Sequence, residues 1–391
     1  MIAKKYQGLL YIFEKINGMT AVFSGQELKL LTGYAETNKK TPFIRRLYDL
    51  GILADKNHRK IIKQALQDDV GISLEALHVE LTDNCPLACP QCYKNCYTAN
   101  DMDFAIFEKL VRQAQQLKIF QIALGGGEPL VYHNIEEAVQ LVAATQMAVS
   151  LTTGGYGLTE CLIKKLITAG LNHMQVSLNS VDERINALSR DGYKHAIAAI
   201  NLLSDSSLSF GINYVARQDN LDGFVKLADY AREKGADNVN VLRYKPANKE
   251  DFQRNALSIE QTQKLVETIS RIKGIKGKID SAYSQLLVYL YKDRTDPLRS
   301  GCGAGKNFLA VTPMGWFSPC SHLPLAKQSE SISSYIASQE LQDFQTAQND
   351  LTNLCGQCLY RNLCGGCRAV CLALSGKIDS GEQHCLAFEE G

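Results

Sequence analysis

The sequence lacks the features that would direct it to a nucleic acid, a membrane or the secretory route. Its 42 Lys and Arg balance 41 Asp and Glu, so the net charge of +1 indicates no nucleic acid partner. No apolar run is long enough to span a bilayer, because the longest uncharged stretch, residues 138–159, contains polar residues and three glycines. The first residues lack the apolar segment and cleavage site of a secretory signal, so we expect a cytoplasmic protein with no membrane partner.

Cysteine, by contrast, is abundant, and most of the 13 cysteines fall into two groups. Cytoplasmic thiols stay reduced, so clustered cysteines favour metal binding or redox chemistry over disulfides. One group lies within residues 85–96, and the other lies within residues 302–385. Only Cys161 stands alone, in a segment with a helical pattern, and we expect it to be a buried core residue.

Residues 77–275 alternate short apolar runs with amphipathic helical patterns. Such strand–helix repeats predict parallel strands joined by right-handed crossovers. Because six repeats fall short of the eight of a closed barrel, the expected fold class is α/β, with a partial (β/α)6 barrel. The predicted strands are 77–81, 119–124, 148–153, 173–178, 209–215 and 238–243, and the predicted helices are 104–116, 135–144, 158–169, 193–203 and 223–234.

Two regions of different character flank this barrel, so the expected domains are 1–75, 76–295 and 296–391. The first resembles a small winged-helix module, with a hairpin around an Asn17-Gly18 turn followed by helices at 25–34, 41–50 and 58–67. Its basic residues fit either a solvated face or a docking site for a peptide. The last region is rich in Gly and Cys and has little periodicity, so we expect a loop-rich domain stabilised by metal ligation.

The cysteines of the first group have the spacing Cys-x3-Cys-x2-Cys, formed by Cys85, Cys89 and Cys92. Zinc sites use four ligands, usually in Cys-x2-Cys pairs. Three close thiolates suit three irons of a cubane cluster and leave its fourth iron open. Cys96 is a possible fourth ligand, which would instead make a closed electron-transfer centre or a zinc site. Several unusual residues also follow predicted strand ends, where parallel barrels bind ligands.

This cysteine motif, with the aromatic Tyr93 after it, resembles the signature of the radical S-adenosylmethionine (SAM) enzymes. The segment Gly126-Gly127-Glu128-Pro129 is similar to their GGEP motif. Ser177-Leu178-Asn179 is similar to their ribose motif, with Asn179 in place of the usual Asp. The resemblance implies that the three thiolates hold a [4Fe–4S] cluster whose open iron binds SAM, and that Glu128 meets the SAM ammonium group.

The same resemblance implies a wider set of SAM-binding positions, while it identifies no catalytic acid or base. Tyr93 is expected near the adenine, and Arg190 and Arg217 are candidates for the SAM carboxylate. The backbone of the two GGEP glycines is expected to approach the methionine part closely, because glycine has no Cβ. The full set of expected cofactor-binding residues is Tyr93, Gly126, Gly127, Glu128, Thr153, Ser177, Asn179, Arg190 and Arg217.

The second cysteine group reads Cys302-x12-Gly315-x4-Cys320, then Cys355-x2-Cys358-x5-Cys364-x2-Cys367-x3-Cys371, then Cys385. Eight thiols allow two four-thiolate clusters, and paired zinc sites are the alternative. The array resembles the SPASM domain, the auxiliary-cluster extension of radical SAM enzymes. That resemblance implies an outer cluster on Cys355, Cys358, Cys364 and Cys385. It implies an inner cluster on Cys302, Cys320 and one or both of Cys367 and Cys371, since neither has the family spacing from Cys364.

These resemblances imply a radical SAM enzyme that modifies a peptide. It would abstract a hydrogen from a ribosomally made precursor peptide via a 5′-deoxyadenosyl radical and form an intrapeptide thioether or carbon–carbon cross-link. The implied cofactors are SAM and three [4Fe–4S] clusters, and the implied partners are the precursor peptide and an electron donor such as flavodoxin or ferredoxin.

Three alternatives remain at the level of sequence. One is an anaerobic sulfatase maturase, although Ser321 follows Cys320 where that group generally has an Asp base. Another is a peptide oxidase or epimerase of a different kind, and the non-enzyme alternative is an iron–sulfur electron carrier. Tyr244 and Lys245 follow the sixth strand, where we expect solvent-exposed structural roles rather than substrate contacts.

Overall fold

The N-terminal module folds around an apolar core of its own. The computed structural model describes residues 1–15, 18–67, 69–94, 100–291, 301–361, 363–382 and 385–386. An antiparallel sheet, in the order β1-β2-β3, packs against three helices. The elements are β1 (Ile2–Tyr6), β2 (Leu9–Glu14), β3 (Met19–Phe23), α1 (Gly25–Thr37), α2 (Pro42–Asp49) and α3 (His58–Gln67). The predicted hairpin of β2 and β3 is confirmed, although Asn17 of its turn lies outside the described residues.

The barrel contains the six predicted strands, each parallel to its neighbours. Helix α4 illustrates why these segments form helices that pack on the sheet. Its buried residues recur at helical spacing and form one apolar face, made of Phe107, Leu110, Val111 and Ala114. The elements are β4 (Ala76–Thr82), α4 (Phe104–Gln116), β5 (Gln121–Gly126), α5 (Ile135–Ala144), β6 (Ala148–Thr153), α6 (Glu160–Ala169), β7 (His173–Ser177), α7 (Glu183–Ala187), α8 (Tyr193–Ser204), β8 (Phe210–Ala216), α9 (Phe224–Glu233) and β9 (Asn238–Arg243).

Further strands lengthen this sheet at both edges. The elements that follow β9 are α10 (Lys249–Asn255), α11 (Ile259–Arg271), β10 (Lys276–Ile279), α12 (Ser284–Tyr291), β11 (Phe308–Val311) and β12 (Phe317–Ser318). The strand order is β10-β9-β8-β7-β6-β5-β4-β11-β12, with β11 parallel to β4 and β12 antiparallel to β11. Sequence analysis missed these strands because they are too short for a clear period. Since β11 continues the barrel's sheet, the domain boundary at 296 stays a prediction.

The C-terminal region contains short helices between its cysteines. They are α13 (Ile332–Ile336), α14 (Gln339–Asn349), α15 (Asn353–Gln357) and α16 (Arg368–Ser375). This region is therefore more regular than its weak periodicity predicted. Among the described helices, none combines the length and the apolar character that crossing a membrane requires.

The prediction that Cys161 is a core residue is wrong. Cys161 lies on α6 and is exposed. The buried face of that helix carries Ile163 and Leu166, and Cys161 is on the opposite side. A helical segment has both a buried and an exposed face, and the position of one cysteine in the sequence did not distinguish them.

Candidate active site

The loop after β4 carries Cys85, Cys89 and Cys92, and the end of β5 holds the start of this loop in place. The backbone N–H of Gly127 donates to the carbonyl of Thr82 at 2.7 Å, and that of Glu128 donates to the carbonyl of Asn84 at 2.9 Å. A Cβ on Gly127 would clash with the Asn84 backbone, and Gly126 has a φ of +122°. The two glycines are therefore required for close approach to the cysteine loop.

The middle of the cysteine loop is tied to the segment that follows α7. The N–H of Ala88 donates to the Asp191 carboxylate at 3.0 Å, and the N–H of Gln91 donates to the carbonyl of Ser189 at 3.1 Å. Both anchors come from a part of the chain about one hundred residues downstream, as the separation of 103 positions between Ala88 and Asp191 shows. The loop that carries the three thiols is thus held from two sides.

A cavity of about 630 Å³ extends from this loop to the C-terminal region. Its walls include the thiols of Cys85, Cys89 and Cys92 and, further along, those of Cys302, Cys320 and Cys367. Polar side chains from several strands line the part inside the barrel, among them His78, Glu80, Gln175, Asn213 and Asn240. The volume lies within the range typical of pockets for small molecules and cofactors. One cavity therefore joins the two cysteine groups.

Glu128 is buried at the wall of this cavity, and its carboxylate is held by three donors. The hydroxyl of Thr153 donates to it at 2.6 Å, the N–H of Gly154 at 2.8 Å and the N–H of Leu130 at 3.2 Å. Burial raises the pKa of Glu128 above its usual value, although these hydrogen bonds and the charge of Arg190 oppose the shift. A cation in the cavity would stabilise this buried carboxylate, so the SAM ammonium group fits the site.

The other predicted SAM residues divide between the cavity wall and the scaffold behind it. Tyr93, Thr153 and Arg190 line the cavity together with Gly126, Gly127 and Glu128. Tyr93 stacks on His322 with ring centroids 4.1 Å apart, and its hydroxyl donates to Glu80 at 3.1 Å. The contacts of Tyr93, Thr153 and Arg190 with SAM stay predictions.

Asn179 and Arg217 are engaged elsewhere, and neither they nor Ser177 are among the residues that line the cavity. The Asn179 side chain accepts from the N–H of Val215 at 2.9 Å and donates to Ser189 at 2.8 Å and to Gln91 at 3.2 Å. An Asp could not make those two donations, which gives a physical reason for the departure from the family motif. Arg217 is tied to Asp219 at 2.6 Å and to Asn255 at 2.9 Å.

Four thiols of the C-terminal region surround a second, small cavity. They are Cys355, Cys358, Cys364 and Cys385, the set that the resemblance assigned to the outer cluster. The sulfur of Cys355 accepts a hydrogen bond from the N–H of Glu382 at 3.1 Å, and that of Cys358 accepts one from the N–H of Tyr360 at 3.3 Å. The sulfur of Cys364 shares a hydrogen bond with the hydroxyl of Ser284 at 3.3 Å. Donors of this kind commonly surround cluster thiolates and tune their potential.

Cys302, Cys320 and Cys367 line the large cavity and lie near one another. Cys371, by contrast, is buried beside Arg368, whose guanidinium donates to its sulfur at 3.3 Å, and it is not among the residues that line that cavity. The arrangement favours Cys367 over Cys371 as the third thiol of the inner group. Cys96 and His384 lie outside the described residues.

The thiols of both groups are suited to iron–sulfur clusters. Burial raises the pKa of Cys320 to about 12 and also raises the pKa values of Cys302 and Cys364. Burial disfavours the thiolate, so the positive charge of bound iron would be what stabilises it, and binding would then add stability to the fold. Within the described part of the chain, no three Cys, His, Asp or Glu side chains converge closely enough to hold a single metal ion.

Sequence analysis missed a buried ion pair that joins the barrel to the C-terminal region. Arg243 ends β9, and its guanidinium donates to the Glu382 carboxylate through two hydrogen bonds of 2.5 and 2.7 Å. The side chains are only 4% and 2% exposed. Burial alone would raise the pKa of Glu382, but the charge and hydrogen bonds of Arg243, together with the charge of Arg368, hold this pKa below its usual value. Nothing in the local sequence links residues 139 positions apart.

The expectation that Tyr244 and Lys245 are solvent-exposed is also wrong. Tyr244 is buried and its hydroxyl donates to Asp251 at 2.8 Å. Lys245 lines the large cavity, and its ammonium group lies 3.4 Å from the carboxylate of Asp280. Both residues follow β9, where a parallel barrel presents its ligand-binding face. Position after a strand was the available signal, and it should have outweighed the general preference of Lys for solvent.

These observations define a barrel whose carboxyl end carries a three-thiol loop, a buried GGEP carboxylate and a cofactor-sized cavity. Residues 79–243 match the Radical SAM superfamily. The chain therefore contains a radical SAM domain at residues 79–243.

The chain is also similar to named relatives and to solved structures. The chain is 26% identical over 332 residues to the PqqA peptide cyclase of Gluconobacter oxydans, an alignment that covers 79% of this chain and 90% of that protein. Its fold is similar to that of Streptococcus suis SuiB bound to S-adenosylmethionine, with a TM-score of 0.72, 16% identity and coverage of 98% of both chains. It also resembles anSMEcpe with bound AdoMet and the Kp18Cys peptide, with a TM-score of 0.65, 17% identity and coverage of 81% and 95%.

Proposed function

We propose that this protein is a peptide maturase that uses SAM to form a cross-link within a ribosomally made precursor peptide. The new bond is a thioether or a carbon–carbon bond. The observation that carries the proposal is the single cavity that runs from the SAM-motif thiols to the inner auxiliary thiols. A peptide segment placed between them can lose a hydrogen atom at one end and an electron at the other.

The relatives support a peptide as the substrate. The curated relatives are named PqqA peptide cyclases, and SuiB has also been solved bound to the precursor peptide SuiA, with a TM-score of 0.69 to this chain. That match covers 98% of this chain, so it extends into the N-terminal module. We infer that this module, with its own core and antiparallel sheet, recognises part of the precursor peptide.

Three [4Fe–4S] clusters are part of the proposal. Cys85, Cys89 and Cys92 would hold the cluster that binds SAM. The outer auxiliary cluster would use Cys355, Cys358, Cys364 and Cys385, and the inner one Cys302, Cys320 and Cys367. When bound, SAM and its cluster supply the fragment that abstracts hydrogen, while the protein orients the peptide and excludes water. A flavodoxin or ferredoxin would supply the electrons in the cytoplasm.

The test is co-expression of the protein with a small peptide encoded beside it, followed by mass spectrometry of the peptide. Loss of two hydrogens is expected for a cross-link. An unchanged mass with inverted stereochemistry would indicate an epimerase instead. Anaerobically reduced protein should also convert SAM to 5′-deoxyadenosine, and an electron carrier would form none.

A further inference from the structure

The proposed reaction needs a base that sequence analysis did not identify, and this inference rests on the proposed function. Joining a peptide carbon to a second atom X removes one hydrogen from each. The first leaves as a hydrogen atom, taken up by the adenosyl fragment of SAM. The second leaves as a proton, together with one electron. A group in the cavity must accept that proton, and an oxidised iron–sulfur centre must accept the electron.

Most acidic side chains of the cavity are firmly engaged. Among the described residues, the carboxylates that line it are Glu80, Asp83, Glu128 and Asp280. Glu80 and Asp83 share the ammonium group of Lys94, at 2.9 and 2.5 Å. Glu128 is held by three donors, as described above. These three groups have fixed structural or cofactor-facing partners.

The histidines of the cavity are poor proton acceptors. His78 stacks on Phe308 with ring centroids 4.5 Å apart, and His322 stacks on Tyr93. Burial lowers the pKa of His78 below its usual value, which makes it a weaker base. The Nδ1 of His322 lies 3.8 Å from the sulfur of Cys320, so this ring already faces a proposed cluster ligand.

Asp280 is held more loosely than the other carboxylates. It directly follows β10, and its side chain is 22% exposed. One carboxylate oxygen accepts from the N–H of Ala282 at 3.2 Å, and the other lies 3.4 Å from the ammonium group of Lys245. Both contacts are long, so the carboxylate is oriented and can still approach a substrate.

Lys245, which pairs with Asp280, lies near the inner thiols Cys367 and Cys320, where the electron is expected to leave. Burial opposes the charge of Lys245, but Asp280 and the nearby sulfurs of Cys367 and Cys320 outweigh it and raise its pKa. Glu128 interacts instead with Cys85 and with Arg190, at the SAM end. A base beside the inner thiols would accept the proton where the electron also departs.

We propose that Asp280 is the base that takes up the proton released as the cross-link closes, and that Lys245 positions it. The carbon–X bond forms and the X–H bond breaks. The proton goes to the Asp280 carboxylate, and the electron goes to the oxidised inner iron–sulfur centre. Together with the hydrogen atom already transferred, this accounts for the loss of two hydrogens.

The test separates hydrogen abstraction from bond closure with an Asp280→Asn variant and a peptide deuterated at the reacting carbon. The variant keeps the contact with Ala282 but cannot accept a proton. Deuterium transfer into 5′-deoxyadenosine should be retained, while cross-linked product falls roughly 100-fold. Peptide affinity, measured by fluorescence anisotropy without reductant, should be unchanged. Asp280→Glu should restore part of the product.

A pH profile provides a second readout. Among the described residues, Lys245, His78 and Tyr283 interact with Asp280. Product formation by the wild type should fall as the pH is lowered, because a base that already carries a proton cannot accept another. The residual rate of Asp280→Asn should show no such fall.

The matched control is Asp222→Asn, since Asp222 also pairs with a lysine, Lys264 at 2.7 Å, but on the surface. It should behave as the wild type. A wild-type product rate in Asp280→Asn would overturn the proposal, and so would loss of deuterium transfer, because Asp280 would then act before bond closure. A wild-type enzyme that transfers deuterium but forms no cross-linked peptide, and only exchanges the deuterium for a solvent hydrogen, would contradict the proposed function, and this inference with it.

Discussion

The cysteines after β4 and those of the C-terminal region differ in how they are supported. Cys85, Cys89 and Cys92 lie on one short loop, whose start is held by backbone contacts with the neighbouring strand β5. The C-terminal thiols come from residues 302 to 385 and depend on distant partners. Cys364 contacts Ser284 of α12, and Glu382, next to the outer thiols, pairs with Arg243 of β9.

This difference shows two ways to build a thiol site. The first is a local motif placed on a parallel barrel, at the end where such barrels bind ligands. The second is an assembly that exists only once the barrel has formed. It includes a buried ion pair with the barrel, its apolar residues pack into the core of the barrel, and the proposed clusters would add further stability. Variants in each site should therefore fail differently.

The largest effect is expected from Cys89→Ala, which removes one thiolate of the SAM-binding loop. Formation of 5′-deoxyadenosine should fall to background, because the open iron that binds SAM requires the intact cluster. The measurement is anaerobic turnover of SAM followed by chromatography. Cys161→Ala, on the exposed face of α6, serves as the control and should keep full turnover. Undiminished SAM cleavage in Cys89→Ala would show that the loop does not hold the cluster.

In the C-terminal region, Cys358→Ala should give a partial and separable defect. Peptide product should be lost, while some uncoupled cleavage of SAM remains, because the three-thiol loop is anchored to barrel segments and not to the outer thiols. The ratio of cross-linked peptide to 5′-deoxyadenosine measures this, alongside the iron content of the protein. A normal product yield would indicate that the outer site is dispensable for the reaction.

Glu382→Gln tests the long-range support of the second site. The variant leaves the Arg243 guanidinium buried without its opposite charge, which should destabilise the folded state by about 3 kcal/mol. Urea unfolding of anaerobically prepared protein measures the change. Glu250→Gln is the control, because Glu250 pairs with Arg254 on the surface, and it should change stability by less than about 0.5 kcal/mol. Equal stabilities would mean that the ion pair does not hold the two regions together.

The smallest effect is expected from Gly127→Ala, which tests the local support of the first site. The added methyl group meets the backbone of Asn84 and should cost about 1–3 kcal/mol through displacement of the cysteine loop. Gly125→Ala is the matched control, since a Cβ there has no atom within 4 Å. Thermal unfolding followed by circular dichroism compares the two. If both variants unfold at the same temperature, the close packing of the loop on β5 is not what holds it.

The parts of the fold that could be predicted are those with a repeating local signal. The six barrel strands and their helices have apolar periods that can be read directly from the sequence. The hairpin of the N-terminal module has a local signal as well, since apolar runs flank its turn. Strands β10 and β11 are four residues long, and they form because β9 and β4 offer free edges. The sequence of a short strand does not show that another strand, elsewhere in the chain, has a free edge with which it can pair.

The candidate site divides in the same way. The spacing of the first three cysteines and the GGEP segment were readable because the motif is contiguous and its chemistry demands those residue types. The pairing of Lys245 with Asp280, and of Arg243 with Glu382, joins residues 35 and 139 positions apart. Charge and hydrogen bonding select such partners only after the chain has folded, since residues far apart in sequence have no fixed distance before that.

The sequence alone thus determined the class of chemistry, through the order of thiols and glycines on successive strand ends. The tertiary structure decided that the two cysteine groups share one cavity, that Cys367 rather than Cys371 lines it, and that Lys245 lies between Asp280 and the inner thiols in its interactions. The reason is geometric. Strand ends that are far apart along the chain meet at one face of a parallel barrel, and only packing sets which side chains turn inward there.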